Sequence, residues 1–122
     1  MDIVIAELNG PLRVIRNDHA SAAAPTKDWL EVAAADRRPH VGNARGVGSV
    51  LVVRSKDPDG SERVQRRWIW GGGPFNSTSW NVPHVGIPAG STAVAVTFTW
   101  PDGMVVEQSD VQPGQRLVIE RK

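Results

Sequence analysis

The sequence contains no cysteine and no tyrosine. Without cysteine there is no disulfide framework and no thiolate zinc site, and the redox compartment stays open. No stretch approaches the run of about eighteen apolar residues that a membrane-spanning helix needs. Asp2 and Glu7 interrupt the only early apolar run, so an N-terminal leader is not expected from these residues. If Met1 is the true start, the chain is expected in the cytosol. If the chain is a piece of a longer exported protein, the export signal lies upstream. Neither sign of charge dominates: fourteen Lys and Arg against thirteen Asp and Glu leave a formal +1. A nucleic-acid binder shows a clear basic excess, so no nucleic-acid partner is expected. Heptads, internal repeats and sustained helical periodicity are missing too.

What remains is punctuation and short apolar runs. A length of 122 residues suits one compact domain. An apolar content of 40% with 22% charged residues separates it from disordered tails. Twelve Gly and nine Pro are spread along the chain between the runs. That pattern predicts an all-β fold, an antiparallel β-sandwich or a partly open β-barrel of about six to eight short strands.

Along the chain, Ile3 to Leu8 and Leu12 to Ile15 flank Asn9-Gly10-Pro11, a strong hairpin signal. Residues 19–27 are polar and alanine-rich and read as a linker. Trp29 to Ala35 is a strand candidate, with Trp29, Glu31 and Ala33 on one face and Leu30, Val32 and Ala34 on the other. Val50 to Val53 is an unbroken apolar strand, and Asp57-Pro58-Asp59-Gly60 is a turn. Glu62 to Trp70 alternates, placing Val64, Arg66, Trp68 and Trp70 opposite Arg63, Gln65, Arg67 and Ile69. Thr92 to Trp100 alternates best, with Val94, Val96, Phe98 and Trp100 facing the core. Pro101-Asp102-Gly103 turns the chain, and Leu117 with Ile119 closes the sheet.

No catalytic constellation stands out. Paired carboxylates flanking a bond, or a serine in a nucleophile elbow, are not evident. His19, His40 and His84 are the only imidazoles and none lies at metal-ligand spacing from another. No metal or other cofactor is expected. His84, beside a glycine at a loop-to-strand corner, is read as a structural hydrogen-bonding residue, with ligand contact as the alternative. Asp57 and Asp59 resemble the start of a calcium loop, but the turn also explains Pro58 and Gly60. The Gly71-Gly72-Gly73 run lacks the following helix and lysine of a phosphate loop. Arg63, Arg66 and Arg67 with Trp68 and Trp70 form a basic-aromatic cluster, diluted by Glu62 and read mainly as a half-buried strand with a solvated arginine face. A sugar-binding strip is the functional alternative, since aromatic faces stack on the apolar faces of pyranose rings. Its candidate residues are Trp68, Trp70, Phe75, Asn76, Trp80 and His84, with Asn81 nearby.

From Asp28 to Glu120 the chain resembles the ASPIC/UnbV domain. The ordered elements are Trp29-Leu30, the Asn43-Ala44-Arg45-Gly46-Val47-Gly48 loop, a Val-rich strand and an arginine-bearing strand running through glycines to Phe75. The His84 to Ile87 step and the Trp100 to Gly103 hairpin follow. Val85 and Ile87 stand where that family more often has Phe and Leu. Residues 1–18 resemble the tail of an FG-GAP/VCBS propeller repeat, so 28–122 would be the terminal module after a linker. Of that repeat's calcium loop only Asp2 remains, and one carboxylate cannot supply the oxygens calcium takes. The resemblance implies a non-enzymatic, extracellular interaction or adhesion module that follows a propeller and meets a glycan or cell-surface protein. A carbohydrate-binding module, or a small β-domain enzyme or enzyme-accessory domain with an apolar pocket, are the alternatives.

Overall fold

Period-two alternation becomes strand throughout the computed structural model, which describes residues 2–16, 28–73 and 79–122. The strands are β1 (Ile3–Ile5), β2 (Arg13–Ile15), β3 (Asp28–Asp36), β4 (Val50–Lys56), β5 (Glu62–Trp68), β6 (His84–Ile87), β7 (Thr92–Thr99), β8 (Val105–Gln108) and β9 (Gln115–Arg121). Among the described residues there is no helix, and so none long and apolar enough to cross a membrane. The linker expected at 19–27 lies outside the described residues.

Two sheets make the sandwich: β6-β3-β9 and β5-β4-β7-β8. Neither closes into a barrel. All pairings are antiparallel except one. β3 runs parallel to β9, with Leu30 beside Gln115 and Asp36 beside Arg121. The long strand β3 is therefore central, held over its first half by β6 on one side and along its length by β9 on the other.

The core forms where the inner faces meet. Leu30, Val32, Val85, Ile87 and Ile119 come from the three-stranded sheet, and Leu51, Val53, Val94, Val96 and Phe98 from the other. Trp100 closes one end, its ring edge-on to Phe98 at 5.1 Å between centroids. The expected inward face of β7 is the observed one. The expected solvated face of β5 is only partly so. Val64, Arg66 and Trp68 face outward with Val52 and Val50, whereas Gln65 turns toward the other sheet and donates Nε2–H to Gly86 O at 2.8 Å. Strand β5 is an edge, and this side-chain bond ties it across the gap to the edge strand β6. That requirement outweighs the hydrophobicity of Trp68, which stays exposed.

The Asn43 to Gly48 loop is a structural knot. Asn43 accepts a bond from Val47 N and donates to Val47 O, both at 2.8 Å. Gly46 and Gly48 adopt φ of +65° and +88°, conformations open to glycine. The turn at Asp57–Gly60 is also confirmed: Asp57 N bonds Ser61 O, and Asp59 Oδ1 accepts from Ser61 N. β1 and β2 pair as the Asn-Gly signal predicts, with Ile3 opposite Ile15. Every apolar side chain of that hairpin, from Ile3 to Ile15, is exposed.

Two carboxylates anchor the end of the sandwich near Trp100. Asp36 is buried and takes a fork from Arg38 Nε and Nη2, the latter at 2.7 Å. Asp102 is bonded by Arg121 Nη2 at 2.6 Å, and Met104 N–H adds a weaker bond. The Arg38 and Arg121 guanidiniums hold these two carboxyls below the usual carboxylate range. A depressed folded-state pKa stabilises the fold above the unfolded value, about 3.9, and the benefit disappears as pH falls through the folded value. Thermal melts by circular dichroism should therefore give a flat Tm from about pH 7 to pH 5 and a fall below about pH 4. Asp36→Asn should lower Tm at neutral pH and flatten the acid limb. An unchanged limb would mean that the fork is energetically silent.

Candidate functional site

The three-stranded sheet sets its polar residues in one row. β6 and β9 flank β3 in register, so His84, Glu31 and Arg116 lie side by side on the outer face. Alternation along β3 sends Leu30 and Val32 inward and puts Trp29, Glu31 and the buried Ala33 on the outer face. The imidazole of His84 stacks on Trp29, with ring centroids 5.8 Å apart and planes 15° from parallel. Its Nδ1 lies 3.7 Å from Glu31 Oε1. His84, at the start of β6, is thus a surface residue facing a ring and a carboxylate.

At the other end of the row stands Trp80. The Arg116 guanidinium sits 5.7 Å from the centre of its indole, within cation–π range. The indole is 75% exposed, so the guanidinium braces it without covering it. Beside it opens a cleft of about 520 Å³ lined by Ala33, Arg45, Ser79, Trp80, Asn81 and Arg116. Such a volume lies within the range of about 300–1,000 Å³ usual for small-molecule sites. The small side chain of Ala33 leaves the floor low. Arg45 reaches the cleft from the knotted loop after β3. Asn81 donates Nδ2–H to Trp70 O at 3.2 Å, which ties the 79–82 segment to the end of β5.

Four of the six candidates from the sequence lie among the described residues. Trp68 lies on the outer face of the four-stranded sheet, opposite Val50 in β4, and Trp70 follows beyond that strand's end. His84 opens β6 of the three-stranded sheet, and Trp80 lies in the segment just before it. Phe75 and Asn76 lie outside the described residues. The sequence reading missed Arg45, Arg116 and Glu31 as site residues, since they meet only through the parallel β3–β9 pairing and the return of the 43–48 loop. Alternation of Trp29 and Glu31 on one face of β3 was the one local signal. Among the described residues no group of three or more His, Asp or Glu converges as a metal-ligand set.

An all-β sandwich carrying an open, aromatic-lipped cleft on one sheet defines the class: a small β-module. The chain belongs to the ASPIC and UnbV family, whose sequence profile matches residues 40–122. No curated protein matches it. A solved structure described as a trapped toxin is similar over 77% of this chain and 21% of its own, at 14% identity and a TM-score of 0.38. This chain thus spans about a fifth of that one, and the likeness is too slight to carry an argument.

Proposed function

We propose that this is a non-enzymatic interaction module of an exported, propeller-type protein, and that it meets its ligand on the outer face of the β6-β3-β9 sheet. The observation that carries the reading is Trp80: a large, exposed indole held in place by Arg116 at the lip of a preformed cleft. Exposed aromatics of this kind are the usual anchors of binding surfaces. The β1–β2 hairpin supports the longer-chain part of the reading. A lone two-stranded hairpin is marginal in water, and one with all its apolar side chains exposed fits the edge of a preceding blade. A saccharide ligand is favoured over a flat protein surface by the cleft itself, where Ser79 and Asn81 offer hydroxyl partners beside the indole face.

Binding of the labelled module to arrayed extracellular glycans tests this. Trp80→Ala should abolish binding and Trp68→Ala should leave it intact. The reverse result would move the recognition surface to the opposite sheet. Chemical turnover of a bound glycan would remove the non-enzymatic reading.

A further inference from the structure

We propose that the cleft selects an acidic sugar: a pyranose ring laid on Trp80, with its carboxylate or sulfate ester held by Arg45 and Arg116. This rests on the recognition surface proposed above and adds the charge of its ligand.

Several arginines of the sandwich are held by carboxylates. Arg37 holds Glu120 at 2.7 Å, Arg38 holds Asp36, Arg63 holds Asp57 and Arg121 holds Asp102. Arg45, Arg54, Arg66, Arg67 and Arg116 are not so paired, and of these Arg45 and Arg116 share one site. Both line the cleft, and neither has an ion-pair partner among the described residues. Arg116 has Glu31 as its register neighbour, yet that carboxylate lies nearest to His84 Nδ1, at 3.7 Å. Two guanidiniums therefore share one concave site with no anion between them. Guanidinium donors match carboxylate and sulfate oxygens in geometry and charge.

The rest of the site fits a sugar ring. With Arg116 on one side, the exposed indole of Trp80 keeps surface for the C–H face of a pyranose. Asn81 Oδ1 and Ser79 supply neutral hydrogen-bonding groups for hydroxyls. The remaining charges on this face are Glu31, directed toward His84, and Glu120, bonded by Arg37. Both carboxylates thus face other side chains and not the two cleft guanidiniums. Two cations in one pocket suit a single acidic residue, whereas a nucleic-acid strand needs a basic track along its phosphates.

The test uses matched probes that differ only in charge: oligogalacturonate against its methyl ester, and chondroitin sulfate oligosaccharide against its desulfated form. Titration calorimetry at low salt should show at least one acidic probe binding about tenfold or more tighter than its neutral partner, a difference that shrinks as salt rises. Which pair discriminates tells carboxylate from sulfate. Arg116→Gln and Arg45→Gln should each remove most of that preference while circular dichroism stays native, and Arg116→Lys should keep part of it. Trp80→Ala should weaken the acidic and neutral probes alike. Equal binding of acidic and neutral probes, lost in Trp80→Ala, overturns the charge selection and leaves the recognition surface standing. Acid-selective binding that Trp68→Ala removes and Trp80→Ala does not overturns the surface itself. Binding of single-stranded oligothymidylate with no response to any saccharide overturns both.

Discussion

Trp100→Ala should lower folding stability by about 3–5 kcal/mol, the usual cost of truncating a large buried aromatic. The side chain is only 3% exposed. It packs edge-on against Phe98, lies under the Arg121 guanidinium at 5.8 Å and meets the Gly46 loop. Its removal would leave a cavity shared by both sheets and the 43–48 knot. A domain of this size has about 5–15 kcal/mol in all, so the variant should melt roughly 15–30 °C lower. Trp100→Phe separates packing from polarity. The indole Nε1 is buried with no hydrogen-bond partner among the described residues. Phenylalanine keeps a ring at the site and removes that unpaired donor, so its cost should stay below about 2 kcal/mol. Urea unfolding followed by far-UV circular dichroism measures both. An alanine variant as stable as the parent would mean that Trp100 does not close the core. Fluorescence gives an independent check. Trp29, Trp68, Trp70 and Trp80 are all exposed to a large degree, so loss of Trp100 should remove the blue edge of the emission.

Gly46→Ala should cost about 2–4 kcal/mol, and the reasons are two. The residue sits at φ +65°, where a side chain is strained. A Cβ there would also stand 2.9 Å from Ala34 Cβ, 3.1 Å from Ser49 Oγ and 3.2 Å from Trp100 Cζ3. None of the three is the loose end of a long side chain, so the loop must move. Gly42 is the control in the same loop region. A Cβ at Gly42 meets nothing within 4 Å, and its φ is not positive. Gly42→Ala should therefore be neutral or slightly stabilising, by up to about 1 kcal/mol. Similar melting points for the two variants would show that the Gly46 approach to Trp100 is not a constraint.

These two sites also show what could be read in advance. Trp100 and Gly46 fall in short motifs whose chemistry is local: a strand end before Pro-Asp-Gly, and an Asn-x-x-Gly-x-Gly loop. Strand β7 was legible for the same reason, since every second residue is apolar and buried. The hairpin turns at Asn9–Gly10 and Asp57–Gly60 follow from residues that tolerate their backbone angles. Facing was harder. Strand β5 carries basic residues on both sides, and the inward side is the one on which Gln65 reaches Gly86 and the chain continues to the buried Ile69. The cleft was harder still. Trp80, Arg45 and Arg116 come from three separated segments, and only the pairing of β3 with β9 brings them to one place. Trp80 stands out in the sequence as an aromatic in a polar loop, whereas each of the two arginines looks like an ordinary surface charge.

The parallel alignment of β3 with β9 has a kinetic consequence. The strand in the middle of one layer meets a neighbour from the far end of the described chain, so that layer stays incomplete until residues 115–121 have emerged from the ribosome. β4, β5, β7 and β8 are joined by nearer antiparallel pairings and can assemble earlier. The expected order is a preformed four-stranded half that waits for its lid, with a slow step set by closing the longest loop.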